Sequence, residues 1–384
     1  MTQHPRVAVI GAGPAGLTLA NLLYRHGCPV TVFEADDSST SRDQGGTLDL
    51  HADSAQIALK KIGLLDQFLS VARHEDQEER DIDYATGAVL REEIPAPGTG
   101  DRPEIDRLLL RKLLLEPLGG DVVRWNTHVE GITLRQSGEY DLRLRSGAAG
   151  PYDLVVGADG AWSRVRAVLT DVQPSYTGVT FVELWLSDVD RRHPAIAQLV
   201  GHGTMFSLHD GSGIIAQRNG GATIRVYAAL HTQPEETDRP DRTLNGITAR
   251  ELLSRFEGWA PSLLSLIAEA DLVAAVRPIV ALPTGLRWPS TRGLTLIGDA
   301  AHVMPPLGVG VNLAMLDAAD LGEEIITHGE WPEAIRAYET TMFERAEITA
   351  RQVEQGFAMM FAPDGANIMA IDRSRARGEM GPLA

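Results

Sequence analysis

The chain opens on two alternating patterns of apolar and polar positions. Val7-Ala8-Val9-Ile10 is an unbroken apolar run of the length of a strand buried on both faces. Leu17 to Arg25 has the spacing of an amphipathic helix, and Pro29-Val30-Thr31-Val32-Phe33 is a second short β-run. Strand and helix patterns keep alternating to about residue 170, which predicts a parallel sheet clad in helices. The clearest later helices are expected near Ser54–Leu69 (apolar Ile57, Ala58, Ile62, Leu64, Leu65, Phe68) and Arg107–Leu115. Between 174 and 230 the pattern changes. Val179–Leu186, Thr204–Leu208, Ile214–Arg218 and Thr223–Leu230 are β-rich runs separated by Gly, Asp and Asn turns. They predict an antiparallel sheet inserted between two halves of the first unit. A helix is expected near Ala249–Ala270, the chain then returns to a buried strand at Leu294–Asp299, and a long helix runs from about Pro332 to Phe361.

The first strand runs straight into Gly11-Ala12-Gly13-Pro14-Ala15-Gly16, a Gly-x-Gly-x-x-Gly loop that opens a helix. Each glycine has a physical job. Gly11 allows the tight turn, Gly13 lets the backbone approach a pyrophosphate, and Gly16 lets the helix pack close to the sheet. The helix start, with Ala15, offers unpaired N–H groups to the anion. Glu34, at the end of the second strand, can accept both hydroxyls of an adenosine ribose. A plain turn would need the glycines but neither the flanking strand and helix nor the acid. The pattern describes a dinucleotide site.

Three further motifs share that site. Leu154–Arg166 is a strand ending in Gly157-Ala158-Asp159-Gly160, followed by a helix with Ser163 as cap and two arginines. Gly298-Asp299-Ala300-Ala301-His302-Val303-Met304-Pro305-Pro306 presents Asp299 at a strand end, where it can accept hydrogen bonds from a ribityl chain. Gly308, Gly310, Val311 and Asn312 then form a glycine-rich loop and helix start whose N–H groups can face a flavin ring edge. Glu104–Arg111 carries Arg107 and Arg111 at helical i, i+4 spacing, a weak signal because surface arginines are usually only solvated.

Bulk properties narrow the class. The 384 residues suffice for two or three domains, and 43 % hydrophobic with 23 % charged residues is ordinary for a soluble globular protein. A formal charge of −17 disfavours nucleic acid as partner, because a phosphate-binding face needs a lysine and arginine excess. Cys28 is the sole cysteine, so neither an internal disulfide nor a thiolate metal cluster is expected. The nucleotide strand beginning at Val7 and the lack of a run of about 18 apolar residues lead to an expected soluble, cytoplasmic and monomeric protein without membrane contact.

In this order, the motifs resemble the group A flavoprotein monooxygenases, which share the p-hydroxybenzoate hydroxylase fold, over about residues 5–350. Within that family the sequence is most similar to the tetracycline-modifying flavin-dependent enzymes, through Arg42–His51, Pro103–Arg107 and His302–Pro306. The resemblance implies an α/β fold with a Rossmann-like FAD-binding domain in two parts (1–172 and 276–330), a β-rich substrate domain (173–275) and a C-terminal helical segment (331–384). It implies that Glu34 holds the FAD ribose, that Asp49, Arg107 and Asp299 are further FAD contacts, and that Arg42 meets NADPH. It also implies the chemistry: NADPH as transient reductant, oxygen added at flavin C4a, and transfer of one oxygen atom to an electron-rich phenol or enol, with antibiotic resistance as one setting. No second glycine-rich nucleotide unit occurs, which agrees with a nicotinamide that only visits the surface.

Three departures from the family pattern stand out. The loop Pro305–Asn312 is one residue short between Pro306 and Gly308, which bears on the N–H groups aimed at the flavin edge. Ala35 follows Glu34 where those enzymes tend to have arginine. Their Gln, Arg and His that grip a polar tricarbonyl align with Glu183, Thr204 and Arg225, so with Pro306 these are the candidate substrate contacts, altered in charge. Alternatives are a flavin dehydrogenase or reductase on the same fold and a non-catalytic flavin or small-molecule binder. His302 and His51 read as packing or hydrogen-bonding members rather than bases. Trp162, Trp185 and Trp331 read as core or domain-junction residues. Met342, Met359, Met360 and Met369 read as core packing or an apolar lid.

Overall fold

A computed structural model describes residues 4–41, 45–75, 77–96, 100–231, 246–328 and 331–362. Five parallel strands form the first sheet, in the order Leu294–Leu296, Leu154–Gly157, Val7–Ile10, Val30–Phe33 and Val123–Arg124. The central strand is fully apolar because helices cover both faces of the sheet. The first helix, Pro14–Arg25, starts with proline at a position whose N–H has no helical partner. It packs against Gly310–Thr327, where Gly322 leaves room for Leu22 and Leu19. The loops after Ile10, Phe33, Gly157 and Leu296 all leave the carboxyl edge of this sheet, where open α/β sheets bind ligands.

Two expected helices are interrupted. Ser54–Leu69 divides into Ala55–Lys61 and Leu65–Val71 at Gly63, whose φ of +74° ends the first helix in the left-handed region. Ala249–Ala270 divides into Ala249–Leu253, a 3-10 turn at Ser254–Phe256, and Pro261–Ala268. Gly258 (φ +88°) and Pro261 punctuate it, while Thr248 and Glu251 cap its start reciprocally.

The second sheet has seven strands, ordered Leu272–Ala281, Ser175–Leu186, Thr223–His231, Ser212–Asn219, Thr204–His209, Glu79–Ile82 and Val89–Glu93. The last two come from inside 1–172, and Leu272–Ala281 runs across the expected boundary at 275/276. Apolar patterning could not signal the 79–93 hairpin, whose pairing carries an arginine fork from Arg91 to Glu79, Asp81 and Glu93. One face of this sheet (Val182, Leu184, Leu186, Met205, Ile214, Ala216, Val226, Ala228) buries against Leu252, Phe256, Leu263 and Ile267. Period-two alternation turns Phe181, Glu183, Trp185, Ile215, Gln217, Arg225 and Tyr227 to the opposite face.

The helix Trp331–Met360 joins both cores. Ile335, Tyr338, Met342 and Ala346 pack in the nucleotide-domain core, whereas Phe357 and Met360, with Phe361 just beyond, pack with Phe181, Leu208, Ile215 and Ala229 on the second sheet. Met342 is therefore core and Met360 roofs the second sheet. No helix among the described residues is long and apolar enough to cross a membrane.

Candidate functional site

The glycine loop is shaped by steric exclusion at two positions and by open space at a third. A Cβ on Gly11 (φ +111°) would stand 2.3 Å from the Ala158 carbonyl oxygen, and one on Gly16 would stand 2.0 Å from the Gly11 carbonyl oxygen. Gly13 has no atom within 4 Å of that position, nor has Gly310 at the start of the helix Gly310–Thr327. The two helix starts thus offer uncovered backbone. Ala15, 8 % exposed, sits beside Gly298 and joins the first of them to the strand end that carries Asp299.

Glu34 ends the second strand nearly buried. Its carboxylate accepts from the Ala12 N–H (2.6 Å) and the Asp36 N–H (2.9 Å), which fixes it beneath the loop. Arg111 reaches the same corner. It donates to Asp36 (2.9 Å), lies 3.7 Å from Glu34 and stacks over Trp125. Of the two arginines, Arg111 is 4 % exposed, whereas Arg107 is exposed. At i, i+4 spacing they share a helix face, and it is the segments carrying Asp36, Glu34 and Trp125 that enclose Arg111.

Asp159 turns back on its own segment. Its carboxylate accepts from Ser163 Oγ and from the Arg164 N–H (2.7 Å), and burial pushes it above the usual carboxylate range against the pull of those bonds. Ser163 Oγ in turn accepts from the Arg166 N–H (2.9 Å), so the serine, expected as the helix cap, closes the turn that leads into the helix Arg166–Leu169, whose cap position is Val165. The wholly buried Arg166 donates to the carbonyls of Ala161 and Ala300, tying this motif to the Asp299 segment. Trp162, expected at a core or domain junction, is 64 % exposed.

Asp299 begins a short helix with its side chain exposed. Behind it, His302 is buried against Asp317. Asn312, 2 % exposed, fastens the glycine-rich loop to the strand Thr47–Asp49. Its amide donates to the Asp49 and Gly308 carbonyls (2.9 and 3.0 Å), and its carbonyl accepts from the His51 N–H (2.8 Å). The Asp49 carboxylate lies 2.7 Å from the His51 ring. Val311 is half-buried beside Asn312, and Pro306 is exposed. Arg42 lies outside the described residues, as does Met369.

The second sheet, which carries the candidate substrate contacts, meets this end of the molecule at Gly45–Thr47. A Cβ on Gly45 would touch the Arg107 side chain at 3.2 Å, and one on Gly46 would stand 2.8 Å from Tyr227 Oη and 3.1 Å from Gln217 Oε1. Glu183, 4 % exposed, is gripped by Arg225 (3.0 Å) and by Arg277. Arg225, 1 % exposed, also lies over Trp185 at 4.6 Å. Burial, reinforced by the Glu183 charge, pushes the Tyr227 phenol up to about 12 and keeps it a neutral donor. Thr204 stands in the same cross-strand row as Gln217 and Arg225, two strands from Arg225. Beside these polar groups Phe181, Ile215, Phe206, Leu307, Phe357 and Phe361 supply an apolar surface. Arg277, Tyr227 and Gln217 escaped sequence reasoning because only cross-strand register brings them together.

Fold and site together define a flavin-nucleotide protein with a separate seven-stranded sheet beside the nucleotide end. Residues 4–354 match the family described as FAD binding domain, and the chain belongs to that family as an FAD-dependent monooxygenase. The open backbone at Gly13 and Gly310 and the exposed Asp299 and Arg107 fit such a cofactor. Monooxygenase asqM of Emericella nidulans is 32 % identical, with 95 % of this chain and 97 % of that protein covered. The solved structure of Klebsiella pneumoniae HpxO with FAD and uric acid superposes with a TM-score of 0.79 at 21 % identity, covering 99 % and 95 % of the two chains. Tetracycline destructase Tet(55) gives 0.75 at 22 % identity, covering 98 % and 95 %. Both likenesses are of fold. Among the described residues no group of three or more His, Cys, Asp or Glu could hold a metal ion.

Proposed function

We propose that this monooxygenase takes its electrons from NADPH and hydroxylates a bulky aromatic or polyketide-like small molecule. One oxygen atom of O2 enters the substrate and the other leaves as water, with NADPH supplying two electrons as a hydride and a proton completing the water. Bound FAD supplies the transfer of electrons from nicotinamide to oxygen. The observation that carries the reading is the approach of Gly46 to Tyr227 and Gln217 and of Leu307 to the apolar cluster on the same sheet face, so that a flat molecule lying on that face borders the cofactor end. The HpxO structure holds uric acid, a flat heterocycle, and the Tet(55) fold carries a polycyclic antibiotic in its name, which supports a flat, ring-shaped substrate.

The protein's part is binding, orientation and exclusion of water. Gly11, Gly13, Ala15, Gly16 and Glu34 hold the nucleotide. Asp49, Arg107, Asp299, Gly310, Val311 and Asn312 hold the flavin half, and Asp159 shapes its segment through Ser163. Arg42 meets the nicotinamide nucleotide with a donor fork suited to phosphate. Phe181, Ile215 and Phe357 offer the apolar bed, Tyr227 a neutral hydroxyl donor, and Glu183, Arg225 and Arg277 a charged edge. Thr204 and Pro306 border the substrate.

That edge differs from a neutral amide with a free arginine and histidine. The Glu183 carboxylate is already satisfied by guanidinium groups, so the expected substrate presents a polar edge unlike the tetracycline tricarbonyl. The test is a screen of polycyclic phenols for stimulated NADPH oxidation, followed by mass spectrometry of product made under isotopically labelled oxygen. Label in the product supports hydroxylation; stimulated oxidation that yields only peroxide, or a desaturated product without label, overturns it. Converting Glu183, Thr204 and Arg225 to Gln, Arg and His should improve turnover of tetracycline.

A further inference from the structure

We infer that Asp317 is a positioning residue for the turn that carries Asp299, and that Arg345 makes this turn depend on the long C-terminal helix. The inference rests on the reading of Asp299 as a contact to FAD.

Gly298 precedes Asp299 at φ +60°, and a Cβ there would stand 2.9 Å from that of Ala314. The turn is therefore pressed onto the helix Gly310–Thr327 in a conformation that backbone preference alone does not select for L side chains. Asp317 on that helix holds the turn at both ends. Its Oδ2 accepts from the Gly298 N–H (3.2 Å) and lies 2.5 Å from His302 Nε2, so the residues before and three after Asp299 share one oxygen. Its Oδ1 accepts from Arg345 Nη2 at 2.9 Å. Asp317 is 0 % exposed, so it meets no ligand itself.

A carboxylate buried this deeply stands only with opposite charge beside it. Burial alone would raise its carboxyl, but His302 and Arg345 outweigh that and hold it low. Arg345 donates also to Asp320 (2.8 Å), which pairs with Lys61 (3.3 Å). The counter-charge for Asp317 thus comes partly from another helix. That helix is bound to the nucleotide sheet again by Tyr338, whose hydroxyl donates to the Leu296 carbonyl (2.9 Å), and by Glu339, which accepts from Trp288 and Thr295 (2.9 Å each). Its far end places Phe357 and Met360 on the substrate face. One rigid element links the aim of Asp299 to the roof of the substrate site.

The test measures FAD dissociation constants by flavin fluorescence, and melting temperatures with and without FAD, on the full chain carrying Asp317→Asn, Arg345→Gln, Arg345→Lys or Asp299→Ala. A positioning role predicts roughly tenfold weaker FAD binding for Asp317→Asn. The gain in melting temperature on adding FAD should shrink as well. Arg345→Gln should weaken binding about threefold, and Arg345→Lys should recover most of that. A purely structural role predicts equal falls in both melting temperatures with FAD affinity within about twofold of wild type, and that result overturns the inference. If Asp317→Asn does not fold, Arg345→Gln decides, and unchanged affinity there overturns it equally. Lost affinity in Asp299→Ala with unchanged affinity in the Asp317 and Arg345 variants refutes the positioning role alone. Unchanged affinity in Asp299→Ala refutes the reading beneath it.

Discussion

At the nucleotide end, the deciding residues are those that have no side chain. Gly11 and Gly16 leave no room for a Cβ, while Gly13 and Gly310 leave backbone uncovered. On the substrate face the reverse holds. Glu183, Arg225, Arg277, Tyr227 and Gln217 matter through side chains that only strand register brings together. A backbone site of this kind takes one ligand class and tolerates few substitutions. A side-chain site can change its ligand by exchanging charges on a fixed sheet, which is consistent with one fold serving many chemistries.

The largest effect should come from Gly11→Ala. Its Cβ would collide with a main-chain oxygen in a backbone conformation that L residues avoid, so about 3 kcal/mol or more of stability should be lost. Gly13→Ala meets no protein atom and should melt like wild type without FAD while binding FAD more weakly. Thermal melting of the FAD-free proteins and FAD titration separate the two. Equal melting temperatures for the two variants would break the contrast between exclusion and open space.

On the substrate-side face, Glu183→Gln removes a counter-charge from the wholly buried Arg225. The expected cost is on the order of 3 kcal/mol by denaturant unfolding, because a buried guanidinium loses its charged partner Glu183. The double variant Glu183→Gln with Arg225→Met should regain much of that loss. If the single and double variants are equally unstable, stacking on Trp185 rather than charge pairing holds Arg225.

The same contrast explains what the sequence disclosed. Gly11, Gly13, Gly16, Glu34 and Asp299 sit at fixed offsets from strand ends, and local spacing suffices to read them. Glu183 and Arg225 could be singled out only through family likeness, and nothing in the chain said that they pair. Their opposition needs the register Trp185↔Arg225 and Glu183↔Tyr227, a long-range property. Arg277 was invisible for the same reason. The partners of Arg111 were not legible because helical spacing fixes direction but not what lies there, and Asp36, Glu34 and Trp125 come from other segments. The hairpin at 79–93 was missed because its stabilising arginine fork is charged where a strand is usually sought by apolar alternation.

A smaller, pH-dependent effect belongs to His302. Burial pulls its imidazolium down, but Asp317 and then Asp299 outweigh this and raise it above the ordinary value. Because the folded value exceeds the unfolded one, the stabilisation is fully present below about pH 6.5 and is lost as pH rises through the folded value. The stability difference between wild type and His302→Gln should therefore be greatest at mildly acidic pH and shrink on going alkaline. A difference that is flat from pH 5.5 to 9, on the order of the range accessible to denaturation measurements, would mean that the ring stays neutral beside Asp317.

Arg277→Gln should change stability least. Its side chain is 53 % exposed on the edge strand, and Glu183 keeps Arg225 as partner when it is removed, so a cost below about 1 kcal/mol is expected. Function should respond differently. Arg277 is the accessible member of the charged edge, opposite Phe181 in the register, and it can meet an acidic group on an incoming molecule without exposing a buried charge. The Michaelis constant for a phenolic or enolic substrate found in the screen should rise roughly five- to tenfold, as expected for loss of a charged hydrogen bond. The constant for NADPH and the FAD content should stay unchanged. If the substrate constant is unmoved while Glu183→Gln raises it, recognition lies in the buried pair, and Arg277 serves only to neutralise Glu183 at the sheet edge.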